Sequence, residues 1–192
     1  SGIGLLHPHI RVTGAGARPG DRIILSGTMA DHGVTILTRR EKIDFDSPVQ
    51  SDSAPLNHMV KKMFMASRDI HVLRDPTRGG VGTALNEIAL QSQVGIRIEE
   101  DRLPVRKEVG GICELLGFDP LYLANEGKLI AFVSADHAER VLAAVQRDAF
   151  GKEACIIGEA VADHPGKVLL QTRVGGSRIV DMLTGEQLPR IC

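Results

Sequence analysis

At 192 residues, with 43% hydrophobic and 24% charged residues, the chain has the make-up of one globular domain, or at most two small ones. A net charge of −1 and an aromatic content of 3% argue against a nucleic-acid surface, which needs a basic footprint and stacking platforms. No apolar run approaches the roughly 20 residues of a membrane helix and no secretory leader pattern is visible, so a reducing cytoplasm is the expected compartment.

Residues 1–20 are rich in Gly and His and read as a lead-in or linker. His7 and His9 straddle Pro8, but a metal site needs further ligands than these two. Pro19-Gly20-Asp21 signals a turn, and residues 22–27 read as a short buried strand. Residues 31–42 predict a helix, with Asp31 as N-cap and Val34, Leu37 and Ile43 on its apolar side. Two Pro and three Asp make residues 43–55 a loop. Leu56, Met59, Val60, Met63 and Phe64 then recur at helical spacing over residues 56–68, followed by a strand at 70–73.

Asp75-Pro76-Thr77-Arg78-Gly79-Gly80 breaks that strand and launches an amphipathic helix through Val81, Ala84, Leu85, Ile88 and Ala89. A strand at 95–99 and a helix at 108–116 follow, with Gly117 just past the helix end. Residues 120–125 predict a short extended segment, 128–134 a strand and 135–148 a helix. Three closing strands at 154–161, 168–172 and 177–181 are expected, the last two joined at Val174-Gly175-Gly176-Ser177. Helices and strands mix without strict βαβ alternation. The expected fold is α+β, a mixed or antiparallel sheet layered with helices over residues 21–183, with a mobile tail at 184–192.

Three stretches carry chemistry. Residues 75–80 combine glycines, a helix N-terminus and Arg78, a pattern suited to an anion; ordinary turn chemistry, with Thr77 capping, explains the same residues. Asn125-Glu126-Gly127-Lys128 sets an amide, a carboxylate and an ammonium beside a glycine: a base beside a buried strand, or a polar turn. Ser26-Gly27-Thr28 with Asp31-His32-Gly33 can orient a substrate or hold two lobes together, or supply only a capping Asp and a satisfied His. Cys113 and Cys155 sit among apolar neighbours and read as small core residues. Cys192 ends the chain, behind the stiffening Pro189 and the pivot Gly185, and reads as a thiol on a short arm or as a frayed end.

The run Asp75 to Val81 with Leu85-Asn86-Glu87-Ile88-Ala89 resembles the C-terminal half of the superfamily that includes aminoimidazole ribonucleotide synthetase and selenophosphate synthetase. Glu114-Leu115-Leu116-Gly117, Leu121 to Lys128 and the terminal Leu188-Pro189-Arg190-Ile191-Cys192 narrow the resemblance to the HypE family, the carbamoyl dehydratases of [NiFe]-hydrogenase maturation. The resemblance implies that Cys192 accepts a carbamoyl group from the carbamoyltransferase HypF. ATP with Mg2+ then drives dehydration to a thiocyanate, and the cyanide passes to iron held by the HypC–HypD complex. Carried over by motif, Glu126 is the base, and Asp75, Arg78, Gly79, Gly80, Asn125 and Lys128 shape the substrate and nucleotide cleft, with no metal ligands assigned here.

Family members carry an N-terminal lobe that holds most ATP and Mg2+ ligands and much of a homodimer interface. The resemblance therefore implies that this chain, as a C-terminal lobe alone, is inactive and exposes apolar surface. Two other readings stand beside it: a different ATP-dependent enzyme of the superfamily, which would survive loss of Cys192, and a non-catalytic carrier, which would survive loss of Glu126.

Overall fold

The computed structural model describes residues 10–40 and 49–183. The strands are β1 (Arg22–Leu25), β2 (Ile70–Arg74), β3 (Gly95–Glu99), β4 (Ile130–Val133), β5 (Cys155–Val161), β6 (Val168–Gln171) and β7 (Ser177–Ile179). The helices are α1 (Asp31–Arg40), α2 (Asn57–Ala66), α3 (Gly80–Ser92), α4 (Lys107–Leu116) and α5 (Ala135–Gln146). Together the strands make one sheet in the order β2-β4-β1-β5-β3-β6-β7. Every pairing is antiparallel except β3 with β6, so the sheet is mixed, as expected.

The sheet is apolar on both faces at its centre because strands alternate their side chains. In β1, Ile24 faces Met59 and Met63 of α2 and Val141 and Val145 of α5. Its neighbours Ile23 and Leu25 face the other way, toward Val81, Leu85 and Ile88 of α3. β4 lies between β2 and β1, and all four of its residues are buried. With so few aromatics, Phe132 is the largest fully buried side chain, and branched aliphatics fill the rest. A third cluster joins α1 to α4 through Val34, Val109, Ile112 and Leu123.

Two local expectations need correction. Residues 120–125 are not extended throughout: a 3-10 turn covers Pro120–Tyr122. Pro120 suits the first helical position, and the Asp119 carboxylate accepts the Leu121 N–H at 3.0 Å. Asp31 is the first residue of α1 rather than its cap, and its carboxylate accepts the Thr28 hydroxyl. Ile43, expected on the apolar side of that helix, lies outside the described residues.

Residues 13–21 run along β2 and the end of α3. Thr13 N–H donates to the His71 carbonyl at 3.2 Å, and Ala17 N–H donates to Ser92 Oγ at 3.1 Å. The buried Asp21 carboxylate holds His71 Nδ1 at 2.9 Å.

Candidate functional site

The three polar stretches singled out in the sequence meet at one side chain, Asn125. It is fully buried, and a buried amide must find partners for its donors and acceptor. Its Nδ2 donates to the carbonyls of Pro76, at 3.2 Å, and Leu123, at 2.9 Å. Its Oδ1 accepts the Ala30 N–H at 2.8 Å. Asn125 thus ties the loop after β1, the loop after β2 and its own turn into one surface. Gly33 N–H adds a bond to the Ala124 carbonyl at 3.0 Å.

The glycines after β2 serve close packing against the same turn. Gly79 and Gly80 have φ of 69° and 65°, a region side chains disfavour. A Cβ on Gly80 would lie 2.4 Å from the Leu121 carbonyl oxygen and 2.7 Å from that of Leu123. A Cβ on Gly79 would meet the Thr83 side chain. Gly79, not Thr77, occupies the cap position of α3, and no side chain caps that helix. Asp75 is exposed and pairs with Arg74 at 2.8 Å, while Arg74 also reaches Glu87 at 2.9 Å. Arg78 is exposed, with no hydrogen bond or ion pair among the described residues.

Beyond Asn125 the chain passes through the half-buried Glu126 to the buried Gly127 and Lys128. A loop 74 residues away closes over them. Glu126 N–H donates to Asp52 Oδ1 at 3.0 Å, and Lys128 Nζ lies 3.3 Å from Asp52 Oδ2. Gly127 is glycine by necessity, since a Cβ would fall 1.8 Å from the Asp52 carbonyl oxygen. His32 Nδ1 lies 2.8 Å from Ser51 Oγ, so His32 at the start of α1 holds this loop too. Asp52 was invisible as a site residue in the sequence: it is one Asp among three in a loop, with no spacing that links it to Glu126.

Next to this turn is a cleft of about 360 Å3, lined by Gly27, Thr28, Asp31, Asp52, Arg106 and Lys128 among others. Asp31 is 2% exposed, and burial raises its carboxyl above the ordinary range, against the lowering by the Thr28 hydroxyl and Arg106. Arg106 Nε approaches Asp31 Oδ1 to 3.6 Å, an ion pair without a hydrogen bond. Carboxylates and cationic side chains thus both line the cleft.

The segment that follows β7 is tied to the same region. Asn86 Nδ2 donates to the Val180 carbonyl and Tyr122 Oη to the Asp181 carbonyl, each at 2.8 Å. Cys192, and with it residues 184–192, lies outside the described residues, as do His7 and His9. Cys113 and Cys155 are free thiols, each pushed up to about 11 by burial. Among the described residues no three His, Cys, Asp or Glu side chains are grouped to hold a metal ion. The described residues alone therefore group no such ligand set for Mg2+. The side-chain positions of Gly79 and Gly80 are filled by protein atoms.

Residues 18–171 match the family model of the AIR synthase related protein, C-terminal domain. The chain belongs to this family. Among the AIR synthase related proteins, it is 53% identical over 192 residues to the carbamoyl dehydratase HypE of Azotobacter vinelandii, covering all of this chain and 56% of that protein. A crystal structure of the hydrogenase maturation protein HypE in complex with ATP superposes with a TM-score of 0.89 at 49% identity, over 94% of this chain and 55% of the other. A crystal structure of a HypE–HypF complex gives 0.85 at 46% identity, over 88% and 55%. The chain thus spans about half the length of the curated relatives it matches.

Proposed function

We propose that this chain is the C-terminal part of a HypE-type carbamoyl dehydratase, with Cys192 as acceptor and carrier and Glu126 as base. The observation that carries the reading is the 53% identity to the Azotobacter protein along the whole chain. The meeting of the three polar stretches at Asn125 supports it, because it surrounds Glu126 with buried, fixed neighbours.

Conversion of S–C(O)NH2 to S–C≡N breaks the C–O bond and both N–H bonds, and forms the nitrile. ATP, when bound by the full-length protein, would phosphorylate the carbamoyl oxygen, giving ADP, and that oxygen would then leave as inorganic phosphate. Glu126 takes one N–H proton, passes it to the departing phosphate or to solvent, and then takes the second, held by its own backbone N–H on Asp52 and flanked by the packed Gly127. The site must exclude water, and the burial of Asn125 and Lys128 on either side of Glu126 serves that end.

A carrier on an arm can meet two partners and one internal site. Residues 182–192 can span about 36 Å when extended. Their root at Asp181 is bonded to Tyr122, four residues before Glu126. In this proposal HypF is the donor, the HypC–HypD complex holds the iron that receives cyanide, and the full-length protein is a cytoplasmic homodimer. ATP and Mg2+ are held mainly outside the described residues. No helix among those residues is long and apolar enough to cross a membrane.

The test is intact-mass analysis of the full-length protein with carbamoyl donor machinery and then ATP. The expected record is one carbamoyl group gained at Cys192, followed by loss of one water. Glu126→Gln stops at the first stage. Turnover undiminished in Cys192→Ser would sink the reading in favour of a different superfamily enzyme.

A further inference from the structure

Asp52 makes contacts that loop closure alone does not require. Its carboxylate spans the turn that carries Glu126, taking the Glu126 N–H on Oδ1 at 3.0 Å while Oδ2 faces the Lys128 ammonium at 3.3 Å. The side chains of Asp52 and Lys128 are 4% and 10% exposed, so this bridge operates away from solvent screening. Oδ2 has the ion pair but no hydrogen bond, which leaves the carboxylate dependent on Lys128 for its charge balance. The backbone agrees: the Asp52 carbonyl and the Ala54 N–H occupy the space above Gly127, at 1.8 and 2.7 Å from where a Cβ would stand. On its far side the same loop is held by His32 through Ser51 at 2.8 Å.

Resting on the dehydratase reading, we propose that Asp52 is the positioning residue of the catalytic base. It fixes the backbone at Glu126 from one side and the strand entry at Lys128 from the other, so that the base keeps one direction while the cargo arrives on a long arm. The support begins at His32, which holds the loop of Asp52 through Ser51. A base whose backbone is held by a buried bridge starts from one fixed position, so that part of the geometry is already set when the substrate arrives.

The experiment uses the full-length protein, with loading of Cys192 and later loss of water followed separately by intact mass. Asp52→Ala should load at the parental rate and dehydrate about 10- to 100-fold more slowly, the penalty of a base displaced by about 1 Å. Asp52→Asn keeps an oxygen for the Glu126 N–H but loses the charge facing Lys128, and should fall between the two; it also serves if the alanine variant does not fold. Hydrogen exchange at the Glu126 amide should quicken in Asp52→Ala while exchange in β4 stays protected. Dehydration at the parental rate in Asp52→Ala, or loading and dehydration falling together with thermal stability, overturns the proposal. A parent that loads but never loses water overturns the dehydratase reading, and this one with it.

Discussion

Glu126 and Lys128 stand two residues apart in a motif legible in the sequence, yet the residue that holds both lies 74 positions before Glu126. Hydrogen-bonding demand explains why: a buried N–H needs an acceptor but does not specify from where in the chain it comes. Two residue-level outcomes follow from burial alone. Cys113 and Cys155, each at about 11, hold only about one thiolate in a thousand at pH 8. Limited iodoacetamide at that pH should leave both unmodified in the folded chain, as read by peptide mass. Asp31 has a folded value raised above its ordinary 3.8. The native state then holds the proton longer than the unfolded chain, so stability falls as pH climbs from about 4 through the raised value. Asp31→Asn should remove that fall and gain on the parent across the interval, with a constant difference above it, in thermal unfolding between about pH 4 and 7.

Among the elements, periodicity located the described helices and strands well, because each must turn one face to the core. The hairpin joining β6 and β7 follows its Gly175-Gly176 signal, with Thr172 N–H donating to the Gly176 carbonyl at 2.8 Å. The segment at 120–125 escaped the same reasoning, since a three-residue turn is too short to show a period. Glycines separate what is local from what is not. Gly117 ends α4 at φ 73° with nothing within 4 Å of a Cβ, so Gly117→Ala should cost only the left-handed backbone, about 1 kcal/mol. Gly80 has a similar φ of 65° but adds the collision with the carbonyls of Leu121 and Leu123. Gly80→Ala should cost about 3 kcal/mol or more and disturb the Glu126 turn as well. Urea denaturation of the two variants side by side checks the ranking.

For the whole molecule, the sheet and its two helical layers enclose a core that is complete on both faces at β1 and β4. The chain should therefore unfold cooperatively by itself, as coincident fluorescence-free probes such as far-ultraviolet circular dichroism and calorimetry would register. On the dehydratase reading proposed above, the isolated chain given ATP and a carbamoylated Cys192 should show no loss of water, and a full-length protein should show it. Apolar side chains such as Met65, at 78% exposure, and Leu115, at 70%, remain on the surface.

The chain of residues alone already carried the α+β class, the order of the elements, the family and the motif around Glu126. These depend on periodicity and on short runs of neighbouring residues, which act over a few positions. Which loops share a surface was decided only by folding. Asn125 bonding Pro76 and Ala30, Asp52 bridging Glu126 and Lys128, and His32 holding Ser51 all join distant segments. Burial removes water as a partner and obliges polar groups to pair with whatever the packed sheet brings near, and no pattern along the chain records that choice.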